Sequence, residues 1–375
     1  MKNSVQDFLS SPAEVARRRG PQDQIVLSSR VRLARNLEGR PFPGSAKKEQ
    51  RQGVLDAIRP AVEALKVMQS GYASAMDELT ALDKTILVER HLISREHAAR
   101  NVGSGVVLSS DESICVMVNE EDHLRMQVLL PGFQIKQAWK SIDAVDSELE
   151  KTLDYAFSPT FGFLTACPTN VGTAIRVSAM LHLPGLVLSE QINPIIQSVN
   201  KLGLAVRGLY GEGTEALGNI FQVSNQMTLG ETEAGIAERL EKVLKQIIEH
   251  EENARATLLE RSPKTVYNHI GRAYGVLANA HSISSKETMN LLSFLRLGLE
   301  LGHFHGVDRA VVDELFILAQ PAHLQRLHGA KRLNGEERDL LRADMMRQQL
   351  KDVERPVMSP PDRGEDGAPK KRDQQ

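Results

Sequence analysis

Cysteine is scarce in this chain: its 375 residues hold two, Cys115 and Cys167, and no Cys-x-x-Cys pair. That scarcity excludes a disulfide scaffold and a thiolate-rich metal site, and it fits a reducing compartment. An excess of either charge is lacking too, since the formal net charge is -2 with 25% charged residues. A protein whose main partner is nucleic acid would carry a basic surplus, so no direct nucleic-acid partner is expected. Nothing in the chain approaches the roughly 20 apolar residues that a membrane span needs. The start, Met1-Lys-Asn-Ser through Arg17-Arg-Arg19, has no apolar core of the kind a signal peptide carries. A cytoplasmic location without a membrane partner is therefore expected. Glycine loops that cradle phosphates are also missing: there is no G-x-x-x-x-G-K-S/T and no glycine-rich nucleotide-covering loop with its lysine. His303-Phe-His305 pairs two imidazoles, but no Cys or carboxylate set with metal-ligand spacing accompanies it, so the pair reads as helix-end polarity and no protein-borne metal site is expected.

The length suggests one large domain plus a smaller one. Residues 1–22 are polar and punctuated by proline and glycine, and read as an arm. Val54, Ile58, Val62, Leu65 and Val67 recur near helical spacing within 47–68. Short β-rich runs then follow at Thr85–Val88, Val106–Leu108, Ile114–Val118 and Leu124–Leu130, whose tight connections favour an antiparallel sheet. Helices are predicted over 133–151, Val171–Leu183 and about 190–202, strands at Leu204–Leu209 and Phe221–Asn225, and a long amphipathic helix at Glu231–Glu252. Beyond residue 256 the pattern is helical throughout, at 262–280, 284–302, 307–318 and 335–351. The predicted class is α+β, with an antiparallel sheet flanked by helices over 23–255 and a C-terminal helical domain over 256–351. Residues 352–375 hold Pro, Gly and alternating charge, and disorder is expected there.

Chemistry is concentrated in a few segments. Val118-Asn-Glu-Glu-Asp-His-Leu-Arg125 sets Glu120, Glu121 and Asp122 beside a histidine and an arginine, directly after a β-branched run. Chain leaving a buried strand is a favoured place for functional residues. Adjacent carboxylates repel unless cations neutralise them, so arginines are expected nearby. In Ser28-Ser-Arg30-Val-Arg32-Leu-Ala-Arg35 the alternation points Arg30 and Arg32 to one side of an extended segment, a pair of forks suited to a polyphosphate. An isolated Arg-x-Arg reads equally as an exposed edge strand with solvated charges. Arg176 stands six residues beyond Asn170, a turn or more into the expected helix, and Arg207 precedes a glycine at a strand end. Cys167 precedes Pro168 at that helix's expected start, where the dipole would favour a thiolate, and the alternative is a small buried thiol. Glycines flank Glu212 in Gly211-Glu-Gly213-Thr-Glu215, which implies close backbone packing or a positive φ.

In order and spacing these segments resemble the phosphagen (guanidino) kinase family, and within it the bacterial branch that acts on arginine in proteins. The resemblance implies that Arg30, Arg32, Arg125, Arg176 and Arg207 clamp the phosphates of ATP, with Ser28 alongside and His91 near the adenine. It implies Glu121 as the catalytic carboxylate, Glu212 as its partner, and Cys167 and Asn170 as further contacts to the guanidinium. Simple proton abstraction cannot be the mechanism, because an arginine near pKa 13.8 facing a carboxylate near 4.3 leaves about 13 kcal/mol uphill. Proton loss must accompany P–N bond formation. Mg2+ is the expected companion of ATP. Small-molecule members carry a helical domain before the Ser-Ser-Arg-Val-Arg segment, which here begins at Ser28, so a protein acceptor, unfolded or regulatory, is expected in place of free arginine. An activator protein and Clp-type protease machinery are partners the resemblance also implies, and it is compatible with a homodimer. Glu337-Arg-Asp-Leu-Leu-Arg-Ala343 resembles the family's second, allosteric site for phosphoarginine, through Arg338, Asp339 and Arg342. By spacing alone the same residues read as an ordinary Asp–Arg surface pair.

Overall fold

A computed structural model describes residues 18–208, 216–304, 307–329 and 332–357. Most of the expected N-terminal arm and C-terminal tail, together with Glu212 and His305, lies outside the described residues. In chain order the first elements are β1 (Val26–Arg35), α1 (Lys48–Glu63), β2 (Tyr72–Ala75), α2 (Ala81–Glu89), α3 (Arg95–Ala98), β3 (Gly105–Leu108), β4 (Ile114–Val118) and β5 (Leu124–Pro131). They continue with α4 (Ile135–Glu150), β6 (Phe157–Ser158), β7 (Gly162–Phe163), β8 (Ile175–His182), α5 (Pro184–Leu188), α6 (Ile192–Lys201), β9 (Leu204–Gly208), β10 (Ile220–Asn225) and α7 (Glu233–Arg261). The last are α8 (Pro263–Asn279), α9 (Ser285–Glu300), α10 (Arg309–Leu318), α11 (Pro321–Leu327) and α12 (Gly335–Gln349). Contacts divide the chain into two units, Met1–Ala216 with Ile220–Glu252, and Leu217–Asn219 with Asn253–Gln375.

The first unit is built on an eight-stranded antiparallel sheet in the order β2-β3-β4-β5-β1-β8-β10-β9. On one face Val31 sits opposite Val128 and Val177, and Leu33 opposite Met126 and Ile175. Helix α4 packs on β1, β5 and β8 and buries Ile135, Ala138, Ile142, Val145 and Leu149. Helix α1 buries Val54, Leu55, Ile58 and Val62; of the expected stripe, Leu65 and Val67 fall beyond its end at Glu63, and Val67 is exposed. In the second unit α8 packs on α9 and α12, and α9 on α10. No helix among the described residues is long and apolar enough to cross a membrane.

Two predicted elements change type. Thr85–Val88 is helical, inside α2, because Thr80 and Asp83 form a reciprocal capping box: the Thr80 hydroxyl accepts the Asp83 amide while the Asp83 carboxylate accepts the Thr80 amide. That start signal outweighs the β preference of the run. The segment expected as a helix over Val171–Leu183 is instead strand β8, paired on both sides. Its Ile175, Val177, Ala179 and Leu181 alternate into the core, a period of two that the stretch also satisfies.

Candidate active site

Sheet register explains how distant arginines converge. Residues directly opposite in an antiparallel pair share a face. Arg32 lies opposite Arg176 on β8, Ala34 opposite Arg125 on β5, and Gln222 opposite Arg207 on β9. Because side chains alternate with a period of two, Arg30, Arg32, Arg125, Arg176 and Arg207 all project from one face, opposite to that covered by α4. Arg176 thus reaches the cluster from a strand and not from the helix expected for it. Arg30 donates to Gln222 Oε1 at 2.8 Å and Arg176 to Ser224 Oγ at 3.0 Å. The Nε atoms of Arg30, Arg32 and Arg176 are buried without a partner.

Crowding shows in their acidity. Burial, then Arg125 and Arg176, lowers Arg30 to about 10. Burial and the same cluster push Arg32 well below its usual value, and burial with Arg207 and Arg125 lowers Arg176. Buried donors with no acceptor and cations facing cations suit a multiply charged anion. Ser28, Arg30 and His91 line an adjoining cavity together with Gln222. Burial and then Arg30 lower His91 to about 4, which keeps its imidazole neutral.

The three carboxylates, near which arginines are expected, have separate fates. Asn119 opens the β4–β5 turn at φ 56, a left-handed conformation that Asn tolerates, and its Nδ2 donates to the Arg51 and Gly103 carbonyls. Glu120 is buried and accepts from Ser94 Oγ, the Glu121 amide and Arg125. Burial alone would raise its carboxyl, but Arg125 and those donors outweigh it and hold the group below the carboxylate range. Asp122 has no arginine partner among the described residues; it accepts from Asn36 Nδ2 and the Ala166 amide, both at 2.7 Å. His123 Nδ1 accepts the Leu37 amide, which leaves Nε2–H to donate to the Pro41 carbonyl. Glu121 alone faces solvent, 46% exposed and 4.0 Å from Arg125. Its carboxyl is raised by burial and by the charges of Asp122 and Glu120.

Asp122 therefore ties the Glu121 turn to the segment carrying Cys167. A single 3-10 turn, Pro168–Asn170, follows Cys167, so the expected long helix and its dipole are not there to act on the thiol. The Cys167 Sγ instead lies 2.9 Å from Thr169 Oγ1. Glu121, Cys167, Asn170, Arg32, Arg125 and Arg176 line one cavity of about 220 Å3. Asn36, Thr169, Gln222 and Ser224 were missed in the sequence. The alternation Phe221-Gln-Val-Ser-Asn225 was the available signal for the last two.

A profile of the ATP:guanido phosphotransferase C-terminal catalytic domain matches residues 54–254, and one of the protein-arginine kinase McsB C-terminal domain matches 263–361. The chain is 46% identical over 331 residues to a protein-arginine kinase of Halothermothrix orenii, covering 88% of this chain and 94% of that protein. It is 45% identical over 352 residues to that of Bacillus subtilis, covering 93% and 96%. The chain belongs to the ATP:guanido phosphotransferase family, among the protein-arginine kinases. Among solved structures it is similar to a duplicated taurocyamine kinase from Schistosoma mansoni, 25% identical with a TM-score of 0.53, covering 62% of this chain and 33% of that one. Its fold is also that of a lombricine kinase, 23% identical with a TM-score of 0.56, covering 66% and 72%.

The family uses ATP with a divalent metal. Among the described residues no group of three His, Cys, Asp or Glu could hold a metal ion. In the second unit Arg342 is buried, and donates to the Ala319 and Ile283 carbonyls and to Asp339 at 2.5 Å. It is neither the surface pair that spacing allows nor a guanidinium offered to solvent. Asp339 stays 34% exposed, and Arg338 is half-buried and donates to the Leu333 carbonyl.

Proposed function

We propose that this enzyme transfers the γ-phosphate of ATP to the guanidino nitrogen of arginine side chains in proteins. The observation that carries the reading is the shared cavity, in which the exposed carboxylate of Glu121 faces Arg32, Arg125 and Arg176 across a gap lined by Cys167 and Asn170. Arg30, Arg32, Arg125, Arg176 and Arg207 hold the phosphates, with Ser28 and His91 at the nucleoside end. Glu121 grips the guanidinium as a planar fork and aligns one nitrogen with the γ-phosphorus. Glu212 is proposed as the second carboxylate. As the P–N bond forms, the bond from the γ-phosphorus to the β,γ-bridging oxygen breaks and ADP leaves, the nitrogen's proton passes to Glu121, and the arginines stabilise the transferring phosphoryl group. Mg2+, when bound with ATP, adds charge neutralisation at the phosphates.

The exposure of Glu121 supports an acceptor as bulky as a polypeptide, and relatives bearing the name protein-arginine kinase support the same class. Incubation with ATP, Mg2+ and either an unfolded protein or free arginine tests it. Mass spectrometry at neutral pH should find phosphoarginine on the protein. Far more efficient use of free arginine would make the enzyme a metabolite kinase, and absence of transfer to either would make it a binding regulator.

The reading extends to regulation by phosphoarginine at Arg338 and Asp339, with Arg342 fixing the Asp339 carboxylate from below. Arg338→Ala and Asp339→Ala should retain basal transfer and lose the response to added phosphoarginine. An activator protein, Clp-type protease machinery and a homodimer complete the proposed setting, on the strength of family resemblance.

A further inference from the structure

Although a quarter of the residues are charged, Ala156–Ile175 and Ala216–Gly230 contain none. The fold brings these two segments together beside the catalytic cavity. Phe163 on β7 bridges Gly172, and a Cβ on Gly172 would lie 2.4 Å from the Thr228 carbonyl oxygen. The Thr228 hydroxyl donates to the carbonyls of Thr169 and Val171. Thr169 itself lines the cavity that holds Glu121 and Cys167. The β6–β7 hairpin and the turn after β10 therefore flank the Cys167 segment on its two sides.

These flanks present large apolar side chains to solvent. Phe157, Phe161, Met227 and Leu229 are 54%, 55%, 53% and 53% exposed, while Phe163 braces Phe157 in an edge-to-face contact at 5.2 Å. Side chains of this size left open beside a binding site mark an interaction surface.

We infer that this uncharged apolar rim is a docking surface for the acceptor polypeptide, and that it selects extended segments whose target arginine is flanked by apolar residues. The inference rests on the proposed protein-arginine activity. An arginine can insert its guanidinium between Glu121 and the phosphate-binding arginines only if its own backbone lies across the mouth of the cavity. Its neighbours in sequence then fall on Phe161 to one side and on Met227 and Leu229 to the other. Apolar side chains of this kind, next to an arginine, are displayed by an unfolded segment and hidden in a folded domain.

The test compares two peptides of equal length, one with the arginine flanked by Leu and Phe and one with it flanked by Ser, using the full chain with ATP and Mg2+. The wild type should favour the apolar peptide about tenfold in kcat/KM. Phe161→Ser/Leu229→Ser should erase the preference while using the Ser-flanked peptide at the wild-type rate, a result that also certifies folding. Equal use of both peptides by the wild type would overturn the docking surface and leave the kinase reading intact, as would a preference that survives in the variant. If free arginine is phosphorylated and neither peptide is, the parent reading fails. If the variant dissociates a wild-type dimer with peptide preference unchanged, the rim belongs to self-association and the inference is wrong.

Discussion

Replacing Arg32 by methionine should make the ligand-free protein more stable and ATP binding much weaker. Arg32 holds a buried, unpartnered Nε and stands among Arg30, Arg125 and Arg176, with Glu120 the opposing charge. An arginine is protonated in both folded and unfolded states at neutral pH, and its folded pKa is lowered. The unfavourable contribution is therefore present in full below the folded pKa and falls away as pH rises through it. Replacing such an ion by an apolar side chain of similar size should recover on the order of 1–3 kcal/mol. For a unit of this size that raises Tm by about 2–6 °C. Loss of a bidentate guanidinium–phosphate contact removes about 3 kcal/mol, or roughly two orders of magnitude in the Kd for ATP. Scanning calorimetry with and without ATP reads both quantities at once. A lower ligand-free Tm together with an undiminished shift on adding ATP would refute the argument that this face is strained to receive an anion.

Glu121→Gln should lower kcat about a hundredfold or more with the ATP Kd unchanged, and wild-type turnover would remove Glu121 from the mechanism. Because burial and its two acidic neighbours raise Glu121 and the carboxylate is the active form, the acid limb of kcat/KM should lie above the ordinary glutamate range; a limb at or below that range contradicts the assignment. Glu120 behaves oppositely: its folded pKa is lowered, so its stabilisation is present above the unfolded value of about 4.3 and lost as pH falls through the folded one. Glu120→Gln should accordingly give a flatter stability curve on the acid side in denaturant titrations. Asp122→Ala leaves the Asn36 and Ala166 donors without their acceptor, and should cost about 2–4 kcal/mol in stability and reduce kcat more than it changes ATP affinity.

What was legible in the sequence was the part governed by local periodicity and by segments with their own chemical signature. The alternation through Val31 and Leu33 placed Arg30 and Arg32 on one face, and the stripe from Val54 to Val62 placed α1. The sequence places Arg176 in a helix and the fold places it in a strand, because Ile175–His182 satisfies both a helical and an alternating pattern. Pairing with β1 and β10 decides for the strand, and strands 38 or more residues away leave no mark within the segment itself. The Thr80–Asp83 capping signal was present but lay outside the run on which the strand assignment was based.

The acidic triplet shows why spacing cannot assign roles to neighbouring carboxylates. Glu120, Glu121 and Asp122 are chemically almost equivalent as a string, and of the arginines expected nearby Arg125 contacts Glu120 and Glu121. Ser94 turns Glu120 inward, Asn36 and the Ala166 amide turn Asp122 inward, and Glu121 is left facing the cavity by elimination. The inward pair serves Glu121 in two ways: their hydrogen bonds fix the turn that carries it, and their charges raise its proton affinity. In the proposed mechanism Glu121 takes a proton late in phosphoryl transfer and gains from a raised affinity, which comes first from its own burial and then from the charges of Asp122 and Glu120.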